Sequence, residues 1–442
     1  MMRTALDEAA AAAKEASRQL ARLTPKVKDN VLERIAQALE QSTEVILQAN
    51  RQDLQDARTC SPARSISSAA LARMTLTAEK IRQMARSVRA VAALKDPANQ
   101  VLLRTELDDD LELRKITCPF GVMAAVVEAR PDAVIQLSSL AFKSGNALMI
   151  KAGAEIGRTT DALMQVLRSV FEFQGDVPIA AVTNVKTREE LHELLALNQY
   201  IDLVVPRGSA ELVRFVSANT RIPVLGHADG VCHIYVHAAA DLNMAFSLIL
   251  DSKIQAPGTC NAVETVLVDQ AIADEFVPEL VRALQLGGVK ARGCEITRSI
   301  CGEDVELVSK DEWSTEYGAL VLAIRVVAGC EQAIAHINRF GSHHTDCIIT
   351  EDHQTAESFL RDVDSAGVFH NVSTRFSDGY RYGFGAEVGI STGKLHARGP
   401  VGLEGLVTYK YVLAGKGQCV SQYLGPRARR FRHEMQSSEV AV

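Results

Sequence analysis

From Gly121 onward, short apolar runs alternate with helical stretches of about ten to fifteen residues, and this rhythm restricts the possible folds more than any other feature. Gly121–Val127, Ala147–Lys151, Ile179–Val182 and Ile201–Val205 are the first four runs. Their length and aliphatic content predict buried strands, and strands separated by helices predict a parallel sheet covered on both faces. Pro131 opens one intervening helix, to about Lys143, since proline suits a first helical turn. A second helix is expected near Gly157–Phe171, and a third starts at Thr187, with Glu190 in capping-box spacing. A turn at Pro206–Ser209 ends this series. A second series has strands at Val231–Val236, Val263–Val268, Leu320–Val327, Asp346–Thr350 and Gly367–His370, with helices such as Asp241–Lys253 and Glu331–Phe340 between them. The chain is therefore expected to be α/β, with two doubly wound lobes.

The first hundred residues read as helices. Val31, Ile35, Leu39, Ile46 and Ala49 recur at helical spacing behind Asp29 and Asn30, which are suitable N-caps. Asp108–Ile116 and Leu406–Leu413 are polar, β-prone segments that fit neither lobe and are expected to pair as a protruding arm. Exposed strands invite pairing with another chain, so a homo-oligomer is expected. The predicted division is 1–105 with 118–235 as one lobe and 236–400 as the other. The arm is then 106–117 with 401–420, and 421–442 is a tail.

With 47% hydrophobic residues in a chain of 442, there is ample material for such cores. The 54 acidic and 48 basic residues are scattered, so neither nucleic acid nor an anionic membrane is an expected partner. No apolar run approaches a membrane span, and Met1–Lys14 lacks the core of a signal peptide, which points to the cytoplasm. Nine cysteines without C-x-x-C spacing indicate neither a disulfide framework nor a zinc ribbon, and most are expected to be buried thiols. His343, His344 and Cys347 form a short cluster following Gly341 that lacks four-ligand spacing, so no metal site is expected.

Among the cysteines, Cys260 is distinctive in position. It lies in Gln255–Asn261, a loop between a helix and a strand, where a rigid scaffold presents reactive groups. Position alone leaves an inert core thiol as the commoner meaning.

Four longer segments add to this reading: VPRGSAELVRFV (Val205–Val216), PVLGHADGVCHIYV (Pro223–Val236), APGTCNAVETVLV (Ala256–Val268) and the block Val368–Leu406. Together they resemble the gamma-glutamyl phosphate reductases, or glutamate-5-semialdehyde dehydrogenases, of the aldehyde dehydrogenase superfamily. The resemblance runs from about Thr4 to Gly417, and the last block is also similar to the reductase half of pyrroline-carboxylate synthases. It implies an aldehyde dehydrogenase-like fold with an oligomerisation arm. The implied reaction is NADPH-dependent reduction of L-glutamate 5-phosphate to the semialdehyde and phosphate, in proline biosynthesis. A separate glutamate 5-kinase is expected to supply the substrate, with transient contact possible between the two enzymes.

The same resemblance makes Cys260 the nucleophile, with the backbone N–H groups of Cys260 and Asn261 as oxyanion donors. No G-x-G-x-x-G follows any strand. Cofactor contacts are instead expected from Lys151, from Gly208 and Ser209 at a helix start, and from Glu316. Ala154 stands where relatives in the superfamily often carry a ribose-binding glutamate, which leaves room for a 2′-phosphate beside Lys151, although Glu155 is adjacent. Arg130, Asn371, Ser373, Arg375 and Arg398 are candidates for the substrate's anionic groups and amino-acid end, with Glu128 or Glu387 for its ammonium. Ala129 replaces the serine of the usual E-S-R-P. Gly226–Gly230 lacks the glutamate that activates water in oxidative relatives, and His227 and Asp229 there are either proton-transfer groups or turn residues. A hydrolytic aldehyde dehydrogenase and an inactive scaffold of the same fold remain as alternatives.

Overall fold

The computed structural model of the chain describes residues 4–59, 66–227 and 229–436. Contact density divides it into two units: Met1–Gly208 with Phe215–Val224 and Gly402–Val442, and Ser209–Arg214 with Leu225–Val401. The division thus comes at Leu225 and not near residue 235. The strand Cys232–Val236 is hydrogen-bonded on both sides to strands of the second unit, which binds it there.

The first unit opens with helices Ala5–Leu20, Pro25–Gln41, Thr43–Thr59, Ser68–Met74 and Ala78–Ala93. Thr24, and not Asp29 or Asn30, caps the second of these: its hydroxyl accepts from Val27 N and Pro25 follows at the first helical position. The Thr-Pro pair is the stronger start signal, so the helix begins earlier and carries Asp29 and Asn30 inside it. Helix Pro131–Ser144 is buried around nearly its whole circumference. Its polar residues survive because Ser138, Ser139 and Ser144 return their hydroxyls to carbonyls one turn back.

Beneath it lies a four-stranded sheet in the order Val182–Val185, Ala147–Ala152, Val122–Val127, Leu203–Arg207, with every pairing parallel. The third strand begins at Val182, where a strand at Ile179–Val182 was expected. Pro178 is followed by a short 3-10 turn over Ile179–Ala181. The fourth strand is displaced two residues along the chain, so Pro206 and Arg207 belong to the sheet and not to the turn. The capping box at Thr187 and Glu190 is formed as expected.

The same unit carries the arm, an antiparallel sheet of Val407–Ala414, Leu111–Pro119, Val101–Asp108 and Glu434–Gln436, in that order. The expected strand Asp108–Ile116 is in fact two strands and a hairpin turn. Asp110 takes a left-handed φ of 54°, a conformation open to aspartate, and reverses the chain. The arm also recruits part of the expected tail. Glu434–Gln436 pairs with Val101–Asp108, while Tyr423 donates to Asp108 at 2.8 Å and Arg432 meets Glu106 at 3.0 Å.

The second unit is built on a seven-stranded parallel sheet. Its order is Glu306–Leu307, Lys290–Gly293, Val321–Val327, Val263–Asp269, Cys232–Val236, Thr345–Ile349, Gly367–His370. Ile234, Val266, Ile324 and Ile349 are fully buried with Phe276 and Leu280 of helix Ala273–Leu286. Each such side chain contributes roughly 1.5–3 kcal/mol by leaving water. A polar layer is buried with them: Asp346 accepts from His233 N and from its Nδ1 at 2.8 Å, and the His233 ring meets that of His336 at 5.4 Å. Among the described residues, no helix is long and apolar enough to cross a membrane.

Candidate active site

Helix Leu242–Ile254 is capped by Asp241, and strand Val263–Asp269 begins soon after it ends. The connection holds Cys260 half-buried in a tight turn, in which Ala262 N donates to Thr259 O at 2.9 Å. Three contacts fix this turn. Arg375, itself largely buried, donates from Nε to Gln255 Oε1 and from Nη1 to Thr259 Oγ1, both at 2.8 Å. Asn261 Nδ2 donates to Ser377 O at 2.8 Å. Finally, Gly230 packs so closely that a Cβ there would lie 2.2 Å from Cys260 O, so only glycine fits.

Two imidazoles approach the thiol. Metal-ligating atoms of His227, Cys260 and His344 all lie within 4.8 Å of one another, and the two rings meet edge to face with centroids 5.0 Å apart. His227 Nδ1 faces Ile390 O at 2.9 Å. A carbonyl only accepts, so Nδ1 carries the hydrogen and Nε2 is the basic nitrogen. His344 is buried, which pushes its pKa down to about 3, with the neighbouring His227 adding to the effect. Its Nδ1 lies 2.9 Å from Thr345 Oγ1, and among the described residues its Nε2 has no hydrogen-bond partner. The cluster His343, His344 and Cys347 read from sequence is thus dispersed. His343 turns to Asp364 O and Cys347 to Val372 O, leaving His344 alone beside Cys260.

Glu316 accepts from Gly230 N at 2.8 Å, and burial raises its pKa. Behind it, Lys253 and Glu264 form a fully buried ion pair at 2.6 Å, and Glu264 also accepts from Gly318 N at 3.3 Å. Burial pushes Glu264 up to about 7 and Lys253 down, each drawn back by the other's charge. Asp229, instead of facing the thiol, pairs with Arg214 at 2.6 Å.

The candidate substrate ligands separate. Arg375 adjoins the Cys260 loop. Asn371, at a left-handed φ of 53°, uses both ends of its amide on Thr350, at 2.9 and 3.0 Å. Buried Ser373 exchanges a hydrogen bond with Ser252 at 2.9 Å, Arg398 meets Asp364 at 3.1 Å, and Glu387 accepts from Gly379 N at 2.9 Å. These bonds are all to the protein's own groups, while the buried Nε of Arg398 has no partner among the described residues.

In the first unit, Arg130 stands before Pro131 at the helix start, with half-buried Glu128 two residues upstream. Ala129 between them has a left-handed φ of 51°, a strain of about 1–2 kcal/mol, and its N–H donates to Glu155 at 2.7 Å. Lys151 is buried at the end of Ala147–Ala152, its ammonium donating to Ala152 O, and burial lowers its pKa. Ser209, which belongs to the second unit, accepts from Leu212 N at 3.3 Å as a helix cap. The strand order gives what the missing glycine fingerprint did not. The chain steps outward from Val122–Val127 through two strands, then returns to its other side with Leu203–Arg207. That reversal is the switch point at which doubly wound sheets accept dinucleotides. Glu128 N bonds Arg207 O there at 3.0 Å, with Gly208 next in the chain.

Of the eight described cysteines all are free thiols, but only Cys232 and Cys347 are fully buried, fewer than expected. The two buried ones lie in central strands, whereas Cys294, Cys301, Cys330 and Cys419 stand at helix ends, Cys260 in a turn and Cys118 in the arm. Cys60 lies outside the described residues, as does Ala228 of the Gly226–Gly230 loop. Gly230, Cys232, Lys253 and Glu264 escaped sequence reasoning, and His344 was noted only with His343 and Cys347, not with Cys260. Glu264 alone left a local signal, a charge inside an apolar strand, VETVLV.

A family model described as the aldehyde dehydrogenase family matches residues 1–297. The chain is 50% identical over 434 residues to the gamma-glutamyl phosphate reductase of Acaryochloris marina, covering 98% of this chain and 99% of that one. It is 37% identical to the solved gamma-glutamyl phosphate reductase of Thermotoga maritima, with a TM-score of 0.91 over 94% of this chain and 100% of that one. A glyceraldehyde-3-phosphate dehydrogenase, GapN, from Methanocaldococcus jannaschii, solved in complex with NADP, shares the fold. There the TM-score is 0.65 at 16% identity, over 93% and 94% of the two chains. A switch-point sheet, a clamped cysteine loop and this degree of identity leave one assignment: the chain belongs to the gamma-glutamyl phosphate reductases of the aldehyde dehydrogenase family.

Proposed function

We propose that the chain reduces L-glutamate 5-phosphate to L-glutamate 5-semialdehyde and phosphate in the cytoplasm, as a step of proline biosynthesis, with NADPH as reductant. The observation that carries this reading is the Cys260 turn, held by Arg375, Asn261 and Gly230 beside two imidazoles.

Cys260 gives its proton to His227 Nε2, and the thiolate attacks the acyl carbon, expelling phosphate and leaving a thioester. Backbone N–H groups of Cys260 and Asn261 face the developing oxyanion, since the side chain of Asn261 is committed to Ser377. NADPH, when bound, would supply a hydride to the thioester carbon, giving the aldehyde and freeing the Cys260 thiolate. Lys151 and the backbone near Gly208 and Ser209 would hold its phosphates and adenosine end, and Glu316, which here accepts from Gly230 N, would hold the nicotinamide ribose. Arg375 is the cation offered to the substrate's anionic groups, Arg130 of the first unit is a second candidate for them, and Asn371, Ser373 and Arg398 shape the loops around Arg375. Water activation has no glutamate at Gly226–Gly230, and Asp229 is held by Arg214, so phosphate and not water exchanges with the thioester. The arm's outer strand, with Tyr409, Tyr411 and Leu413 exposed, suits a homo-oligomer.

The test is the reverse reaction, with glutamate semialdehyde and NADP, followed by nicotinamide absorbance. Reduction of NADP that requires added phosphate supports the reading. Turnover independent of phosphate would identify a hydrolytic dehydrogenase, and none at all an inactive scaffold.

A further inference from the structure

Cys260, His227 and His344 are three metal-ligating side chains within 4.8 Å of one another, drawn from three separate parts of the sequence. Tetrahedral zinc, with bonds of about 2.0–2.3 Å, sets such atoms roughly 3.5 Å apart. The cluster therefore closes on an ion by movements of about 1 Å, within reach of a rotation of the half-buried Cys260 side chain.

Two further features match a metal site. Metal-binding histidines are held in place through the ring nitrogen that does not bind the metal. Both rings here are held in that way: His227 Nδ1 by Ile390 O at 2.9 Å and His344 Nδ1 by Thr345 Oγ1 at 2.9 Å. His344 is also 1% exposed, and among the described residues its Nε2 lacks any hydrogen-bond partner, a buried polar atom in want of a ligand.

We propose that Cys260, His227 and His344 form a binding site for one thiophilic divalent cation of the Zn2+ class, and that its binding reversibly silences the enzyme by occupying the nucleophile. One sulfur and two imidazoles favour Zn2+, Cd2+ or Co2+ over Mg2+ and Ca2+, which prefer oxygen. Coordination exchanges the thiol proton, released to solvent, for the cation, with no change of oxidation state. Three protein ligands leave a fourth position for water or phosphate. An enzyme whose thiol is capped in this way is inactive but shielded from alkylation and oxidation, and a chelator restores it.

The experiment uses the full chain and needs no turnover, so it succeeds or fails independently of the proposed reaction. Zn2+ is titrated by equilibrium dialysis, and Co2+ serves as an optical probe of thiolate ligation. The expected result is one site that binds Zn2+ but not Mg2+, a thiolate-to-cobalt charge-transfer band, and iodoacetamide labelling of Cys260 slowed by about tenfold or more in the loaded protein. Cys260→Ala should lose the site, and His344→Gln should weaken it by about tenfold or more. His227→Gln, at a partly exposed position, is expected to do the same and keeps the test open where the buried variant fails to fold. Undiminished Zn2+ binding in Cys260→Ala, unchanged affinity in His227→Gln, or unaltered labelling of Cys260 in saturating Zn2+ would overturn the proposal.

Discussion

The carboxyl edge of the first parallel sheet is built differently from the amino edge of the second, where Gly230, Cys260 and His344 stand just before strands Cys232–Val236, Val263–Asp269 and Thr345–Ile349. The first, ending at Glu128, Lys151 and Arg207, offers a few polar groups bonded mainly to nearby backbone, such as Lys151 to Ala152 O and Glu128 N to Arg207 O. The second surrounds Cys260 with interlocked contacts, from Arg375 to Thr259, Glu316 to Gly230 and Lys253 to Glu264. An edge that receives a large exchangeable ligand must leave donors available. An edge that positions a reacting sulfur must spend its donors beforehand, because orientation accounts for much of the rate. Substitutions at the second edge should therefore strike turnover, and those at the first should strike ligand affinity.

The largest effect expected is from Cys260→Ala, which should lower the reverse, phosphate-dependent rate by at least ~10³-fold while NADPH still binds by fluorescence. Residual turnover near the wild-type rate would erase the contrast. Gly230→Ala comes next. Its new methyl would press on Cys260 O, 2.2 Å away, and a displacement of about 1 Å is expected to reduce kcat by about 10²-fold with a smaller change in KM for the cofactor. If KM moved more than kcat, the glycine would belong to binding and not to placement of the sulfur.

Acid sharpens the comparison at the level of stability. His336 is held at a pKa of about 2 by burial, with His233 and Arg325 adding to the shift, and Arg325 donates to its Nδ1 at 2.7 Å. The unfolded chain takes up this proton below pH 6.5, whereas the folded one does not until about pH 2. Stability from this group is therefore present above pH 6.5 and lost as pH falls, by about 2 kcal/mol at pH 5. Thermal melts from pH 7 to 5 should show the decline, and His336→Phe should flatten it whatever its absolute stability; parallel slopes for the two proteins would place the acid sensitivity elsewhere. Smallest of the four, Lys151→Ala should raise KM for NADPH about tenfold with little change in kcat or in KM for NADH, since a charge-assisted bond to phosphate contributes about 1.5–3 kcal/mol. Equal changes for both cofactors would remove Lys151 from the 2′-phosphate.

What could be read in advance was whatever neighbours in sequence decide. The capping box at Thr187 and Glu190 and the strand Gly367–His370 follow from a few adjacent residues, and both formed where expected. Asp108–Ile116 misled because one polar strand and a hairpin share the same residue preferences, and only the left-handed Asp110 separates them. The candidate site was suggested in the sequence at Cys260, by its loop and its motif. His344 was not, since its neighbours in sequence, His343 and Cys347, turn away from it in space. Nor was Gly230, whose need to lack a side chain arises from Cys260 O, a group from another part of the chain. The bonds of Asn371 to Thr350 and of Ser373 to Ser252 were not legible either, since an amide or hydroxyl in a motif looks the same whether it meets a ligand or a neighbouring group.

The short strand Glu434–Gln436 covers part of one rim of the antiparallel arm with the protein's own chain. The two borders of the ribbon are thereby made unequal, three residues at Glu434–Gln436 against eight at Val407–Ala414. A border that short offers another strand little to pair with, so the ribbon is a poorer template on that side than on the other.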